Sequence, residues 1–204
     1  MKNLITFEGG EGCGKTTLLN NLKKYLDDNN VDYICTREPG GLEECEKIRD
    51  ILKTTPNLSA ITQLMLFSAS RSNLVDKLVL PNLNSGRIVL MDRYYDSSRI
   101  YQGYCGDISD EKVMQITNMA IKGAVPQLTF FLDIDPEVAF KRKGGPDKGD
   151  VIENAGLEFH HKVRQGFLEL AKKEPNRFKV IDATMPADEV FKTVVGILKQ
   201  EKVI

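Results

Sequence analysis

The chain has 204 residues, 41% of them hydrophobic, and a formal net charge of −1, which suits one domain with a sizeable core and excludes the general basic field that draws nucleic acid or an anionic membrane. Four cysteines without CxxC or zinc-ligand spacing fit a reducing compartment. No apolar run approaches the roughly 18 residues of a membrane span and no basic-then-apolar leader opens the chain, so the expectation is a cytoplasmic protein.

Five short apolar runs, "NLITFE", "DYICTR", "RIVLMD", "LTFFLDI" and "FKVID", alternate with longer helical segments. That alternation predicts an α/β fold with a five-stranded parallel sheet flanked by helices in three layers. Four runs reach a charged residue, Glu8, Arg37, Asp92 and Asp133, which puts polar chemistry at carboxyl ends, where open α/β sheets bind ligands.

The first run leads into "GGEGCGKTT", followed by Leu18, Leu19, Leu22 and Leu26 at helical spacing. Strand, G-x-x-x-x-G-K-[ST] and helix together identify a P-loop. Its glycines let backbone N–H groups converge on phosphate oxygens, and the helix adds its positive end. Lys15 is the candidate for neutralising the β- and γ-phosphates and Thr16 for holding magnesium beside ATP. No NKxD-like guanine-reading sequence occurs, and the length leaves little room for a motor, so a small-molecule kinase remains.

The acceptor side is read from the later stretches. "TREPGG" sets Arg37 at the end of the second run before a turn, and "LMDRYYDSSRIYQG" sets Asp92 and Arg93 at the end of the third. Two strand-end arginines on one rim suit an anion, because the guanidinium fork matches phosphate oxygens. In "LMLFSASR", within a helix predicted over 61–80, Phe67 and Arg71 lie four apart on one face. The stretch 141–156, rich in Gly, Lys and Asp, reads as a short mobile lid. His160 and His161 fall in the helix after it, on a surface or partly packed face. Near the end, "VIDATMPADEV" gives a strand to Asp182 and a last helix opened by Pro186.

These stretches in this order, with "FLELA" at 167–171, resemble thymidylate kinases of the bacterial type over essentially the whole chain. The resemblance implies transfer of the γ-phosphoryl group of ATP to dTMP, giving dTDP, with magnesium, by a homodimer to whose interface segment 61–80 could contribute. It implies an ATP site made by Gly9, Gly10, Glu11, Gly12, Cys13, Gly14, Lys15, Thr16 and Thr17, with Arg142, Lys148, Ala183 and Thr184. It implies Phe67 stacked on thymine, Arg71 donating to O4, and Arg37 and Arg93 on the acceptor phosphate. Ser97, Ser98 and Gln102 join the dTMP set, Tyr101 crowds the sugar 2′ position, and Glu11 approaches the 3′-hydroxyl or magnesium-bound water. Thr16 and Asp92 are the metal candidates; Lys15, Arg93, Glu11 and Arg142 are the catalytic ones.

One subgroup of this family carries an arginine within the P-loop, and the other has glycine there and draws catalytic charge from the lid. Gly12 places this chain with the second, leaving Arg142, Lys143 and Lys148 as lid cations, Arg142 foremost. Relatives commonly read Asp-Arg-x-Glu late in the lid, where this chain has Val151. A deoxynucleoside kinase, with Glu8 or Asp92 as base, and a catalytically silent nucleotide-binding module remain the alternatives.

Overall fold

A computed structural model describes residues 2–144 and 155–204. The predicted runs become strands β1 (Leu4–Glu8), β2 (Tyr33–Arg37), β3 (Ile88–Asp92), β4 (Leu128–Asp133) and β5 (Phe178–Asp182), all parallel, in the order β2-β3-β1-β4-β5. Period-2 alternation sends successive side chains to opposite faces. Ile5, Phe7, Leu90, Phe130 and Leu132 pack on one side against helices α1 (Lys15–Asp28) and α9 (Ala187–Gln200). Leu4, Val89 and Met91 face the other side, where α3 (Ala60–Leu74) supplies Leu74. On that side too, Phe131 stacks on Phe167 of α8 (Leu157–Lys173), their ring centroids 4.9 Å apart. Residues hydrophobic on both faces explain why the strands read as unbroken apolar runs.

The expected leucine stripe of α1 is buried throughout: Leu18, Leu19, Leu22 and Leu26 are at most 5% exposed. The helix expected over 61–80 has a finer form. α3 runs into a π-helical turn at Val75–Val79, and α4 (Leu80–Asn84) continues it with Pro81 in its first turn, the position that tolerates a missing N–H. α2 (Glu43–Thr54), α5 (Tyr95–Ser98), α6 (Asp110–Ile121) and α7 (Pro136–Lys143) complete the layers. α5 continues into a second π-helical turn, Arg99–Tyr104. Of the lid expected over 141–156, residues 145–154, Lys148 and Val151 among them, lie outside the described residues.

Register decides what the sheet can do. Phe7 lies opposite Asp92, and Asp92 opposite Arg37, so the carboxyl ends of β1, β3 and β2 stand abreast. The segment after β3 is held by a buried ion network. Arg177, just before β5, donates to both oxygens of Asp96 at 2.6 and 3.0 Å, and Glu174 at the end of α8 accepts from Arg177 and Arg99. Asp96 is fully buried, so removing its carboxylate takes both of these hydrogen bonds from the largely buried Arg177 and leaves Glu174 as its one carboxylate partner among the described residues. Asp96→Ala is expected to lower stability by about 3–5 kcal/mol, read as a shift in the urea midpoint.

Candidate active site

The P-loop runs from the end of β1 to the start of α1. Gly14 caps α1 in the left-handed region (φ 94°) with no side-chain cap, so the first amides of the helix are available to an anion. Gly12 is also left-handed (φ 72°), and a Cβ there would stand 2.3 Å from the carbonyl oxygen of Ala139 in α7. The glycine that replaces the arginine of the other subgroup is thus the point at which the loop touches the helix leading to the lid. Cys13 contributes backbone only; its side chain is buried in the core. Lys15 is buried, its Nζ donating to the Gly9 carbonyl at 3.3 Å and lying 3.9 Å from Asp92 Oδ1.

Across the β1–β3 register stands Arg93, held at φ 65°, a backbone conformation that bulky side chains rarely adopt. Such strain persists where the surroundings over-determine it. The Arg93 amide donates to Phe7 O at 2.9 Å, and its guanidinium donates to Glu11 Oε1 at 3.2 Å and Ser97 Oγ at 3.4 Å while covering the Tyr101 ring. Glu8 pins the same turn: its carboxylate accepts from the Tyr94 amide at 2.9 Å and from Ser97 Oγ at 2.7 Å. Burial pushes Glu8 up to about 7 against the pull of Arg93. Burial acts in the same direction on Glu11, but Arg93, Lys15 and Lys143 together outweigh it and hold that carboxyl down at about 2.

Beside the P-loop opens a cavity of about 320 Å³ whose lining includes Glu11, Lys15, Thr16, Asp92, Arg93 and every residue predicted for the acceptor: Arg37, Phe67, Arg71, Ser97, Ser98, Tyr101 and Gln102. Arg71, 1% exposed, donates through Nε to Glu38 Oε2 at 2.9 Å and through Nη2 to Ser98 Oγ at 3.1 Å. Its Nη1 and Glu38 Oε1 are buried without a hydrogen-bond partner, an expensive arrangement unless a ligand completes it. Burial raises Glu38 to about 7, opposed by Arg71. Arg37 is half-exposed and committed to both oxygens of Glu46 at 2.9 and 3.0 Å.

Sequence reasoning missed three features. Arg49 of α2 lines the cavity and donates to Pro39 O at 3.0 Å; the helical spacing around it was the available signal. His160, expected at a surface or partly packed position, is 6% exposed, set edge-on to Phe140 and Phe159, and lines the cavity. His161 is exposed. The third is a contact of Arg142, expected as the principal lid cation and as part of the ATP site with Ala183 and Thr184: it donates to Ala183 O at 2.7 Å and Thr184 O at 3.0 Å, on the turn after β5. Its neighbour Lys143 stands 3.5 Å from Glu11 Oε2. Thr17 is exposed on the first turn of α1.

A phosphate cradle at the end of a central parallel strand, bordering an arginine-lined cavity, marks the class of P-loop nucleoside monophosphate kinases. The chain resembles the thymidylate kinase of Clostridium novyi at 45% identity, the alignment covering 96% of this chain and 97% of that protein. It matches that of Thermoanaerobacter sp. at 41%, over 96% and 97%. The crystal structure of thymidylate kinase from Ehrlichia chaffeensis superposes with a TM-score of 0.78 at 33% identity, over 97% of this chain and 98% of that one. The thymidylate kinase family model matches residues 7–194, and the chain belongs to that family.

Two predictions follow from this geometry. Gly12→Arg, which transplants the charge of the other subgroup, is expected to lower turnover more than tenfold and stability by about 1–3 kcal/mol, because the side chain meets the Ala139 carbonyl; steady-state kinetics and thermal melting read both effects. Glu38, raised to about 7 from 4.5, keeps a proton in the folded state that the unfolded chain releases between those values. Its contribution to stability is therefore full below 4.5 and lost as pH rises through 7. Urea unfolding at pH 5 and pH 8 is expected to show wild type losing stability relative to Glu38→Gln on going to the higher pH.

Proposed function

We propose that Lys15, Arg93, Arg71 and the residues around them carry the family's reaction in this chain as one catalytic unit over 1–204. The chain phosphorylates dTMP to dTDP with ATP, a step of dTTP synthesis. The observation that carries the residue assignment is the shared border of cradle and cavity, where Arg93 reaches Glu11 on one side and Ser97 on the other. ATP lies with its phosphates on the Gly9–Thr17 loop. dTMP lies in the cavity with thymine against Phe67 and its phosphate at Arg93, Arg37 joining after exchanging Glu46 for the ligand.

An oxygen of the dTMP phosphate attacks the γ-phosphorus while the bond to the β-γ bridging oxygen breaks, leaving ADP. A phosphate monoester has a second pKa of about 6, so the attacking oxygen is already ionised at neutral pH and no general base is needed. The deoxynucleoside kinase reading needs Glu8 or Asp92 as base: both oxygens of Glu8 are occupied by Tyr94 and Ser97, and Asp92 is assigned here to the metal. The protein's task is to position two polyanions and offset their repulsion. Lys15 and Arg93 stand at the point of transfer, and Lys143 is the described lid cation nearest to it. Arg142 belongs with Ala183 and Thr184 at the nucleoside end of ATP.

The donor set fits magnesium: Thr16, which carries a hydroxyl, lines the cavity, and the buried Oδ1 of Asp92 has no hydrogen-bond partner. A magnesium ion held by Thr16 and Asp92 would supply positive charge against the charge that develops on the phosphates. A homodimer is supported by α3 and α6, which pack together and expose Ile61, Met65 and Met119 at 44, 56 and 79%, apolar surface of the kind that marks an interface. No helix among the described residues is long and apolar enough to cross a membrane, and four free cysteines support a reducing cytoplasm.

A coupled assay for ADP release tests the assignment. dTMP is expected to drive turnover, thymidine to give none, and EDTA to abolish it. Arg93→Ala is expected to lower kcat/KM for dTMP by about 10³-fold or more, the scale of a cation at a transferring phosphoryl group; turnover with thymidine but not dTMP would contradict the assignment.

A further inference from the structure

The residues that read the pyrimidine are themselves held by a second layer, and one contact in it fixes the polarity of the reading. Gln102 lines the cavity and is 2% exposed. A glutamine amide presents a donor on one side and an acceptor on the other, and which side faces a ligand is set by the partners of the amide. The Nε2 group of Gln102 donates to Gln63 Oε1 at 3.2 Å. Gln63, in the first turn of α3, is oriented in turn: its own Nε2 donates to the Leu58 carbonyl at 2.9 Å. A backbone carbonyl can only accept, so Gln63 must direct its amide nitrogen to Leu58 and its oxygen to Gln102. Gln102 must then direct its nitrogen to Gln63, which turns its carbonyl oxygen toward the cavity. Among the described residues no hydrogen bond to that oxygen is formed.

We propose that Gln63, which does not line the cavity, is a positioning residue that sets pyrimidine specificity by locking Gln102 with its acceptor toward the base. The inference rests on the reading of this cavity as the dTMP site. Thymine and uracil carry an N3–H donor that a carbonyl oxygen satisfies; cytosine carries an unprotonated N3, which meets that oxygen with lone pair against lone pair. The lock runs parallel to that on Arg71, whose Nε and Nη2 are spent on Glu38 and Ser98, leaving Nη1, a donor only, as its unpartnered group. Arg71 therefore tests position 4 of the base for an acceptor, while Gln102 tests position 3 for a donor. Without an acceptor at position 63 the amide of Gln102 turns over at little cost, and its nitrogen then offers cytosine the partner that the native orientation denies.

The test is steady-state phosphoryl transfer to dTMP and dCMP by wild type, Gln63→Met and Gln63→Glu, with thermal melting of each. Gln63→Met keeps the volume and removes the acceptor; Gln63→Glu keeps an acceptor toward Gln102. For Gln63→Met, the KM for dTMP is expected to rise roughly tenfold, the scale of one misdirected buried hydrogen bond. Its kcat and its KM for ATP are expected to stay within about twofold, and the preference for dTMP over dCMP in kcat/KM to narrow about tenfold. Gln63→Glu is expected to keep the wild-type KM and preference. An unchanged dTMP KM and preference in Gln63→Met, or an equal loss in Gln63→Glu, would overturn the relay. Wild type that fails to phosphorylate dTMP would instead overturn the assignment of the cavity, and the relay with it.

Discussion

The whole site depends on one register. Because Phe7 of β1 lies opposite Asp92 of β3, the loop that leaves β1 and the turn that leaves β3 emerge one strand spacing apart, on the same edge of the sheet. The P-loop carries Glu11 and Lys15 into that space, and the β3 turn carries Arg93. A slip of one residue would exchange the faces of β3, and Arg93 would no longer meet Glu11. The positive φ of Arg93 is what this meeting costs in backbone conformation, and the hydrogen bonds of Glu8 to Tyr94 and Ser97 hold the turn there.

Charge in the site is a ring of cations partly offset by carboxylates. Lys15, Arg37, Arg49, Arg71 and Arg93 all border one cavity, and the protein offsets them with Glu11, Glu38 and Glu46. The offsets differ in kind. Glu11 is held well below the ordinary carboxylate range by three cations, whereas burial raises Glu38 beside the single cation Arg71. Arg37 and Glu46 are partly exposed, so their pairing is exchangeable with a phosphate at small cost. Arg71 and Glu38 are buried, so their pairing serves geometry: the arginine has one orientation and one group left for the ligand.

Much of this was legible in the sequence because its signals are local. The strands, apolar in their central three and ended by charges, fall within about a residue of where the apolar runs place them, and the P-loop is a contiguous nine-residue pattern with a strand before it and a helix after it. Phe67 and Arg71 are one helical turn apart, and they share the cavity as that spacing demands. What stayed hidden depends on direction around a helix or on distant partners. Arg142 and Lys143 are neighbours in sequence, but consecutive helical residues point about 100° apart, so one faces the Ala183–Thr184 turn and the other Glu11. His160 is buried because Phe140, twenty residues earlier, closes over it. Gly12 was readable as a missing arginine; only its contact with Ala139 shows why no side chain belongs there.

The account holds that donor and acceptor phosphates meet at Arg93, between the glycine loop and the arginine-lined cavity. A crystal structure with dTMP and a non-hydrolysable ATP analogue bound together tests this most directly. The account predicts the acceptor phosphate within hydrogen-bond distance of the Arg93 guanidinium, the γ-phosphate over the Gly9–Thr16 amides, and Lys15 between them. An acceptor phosphate held away from Arg93, with the Glu11–Arg93 pair intact and the γ-phosphate elsewhere, would contradict it.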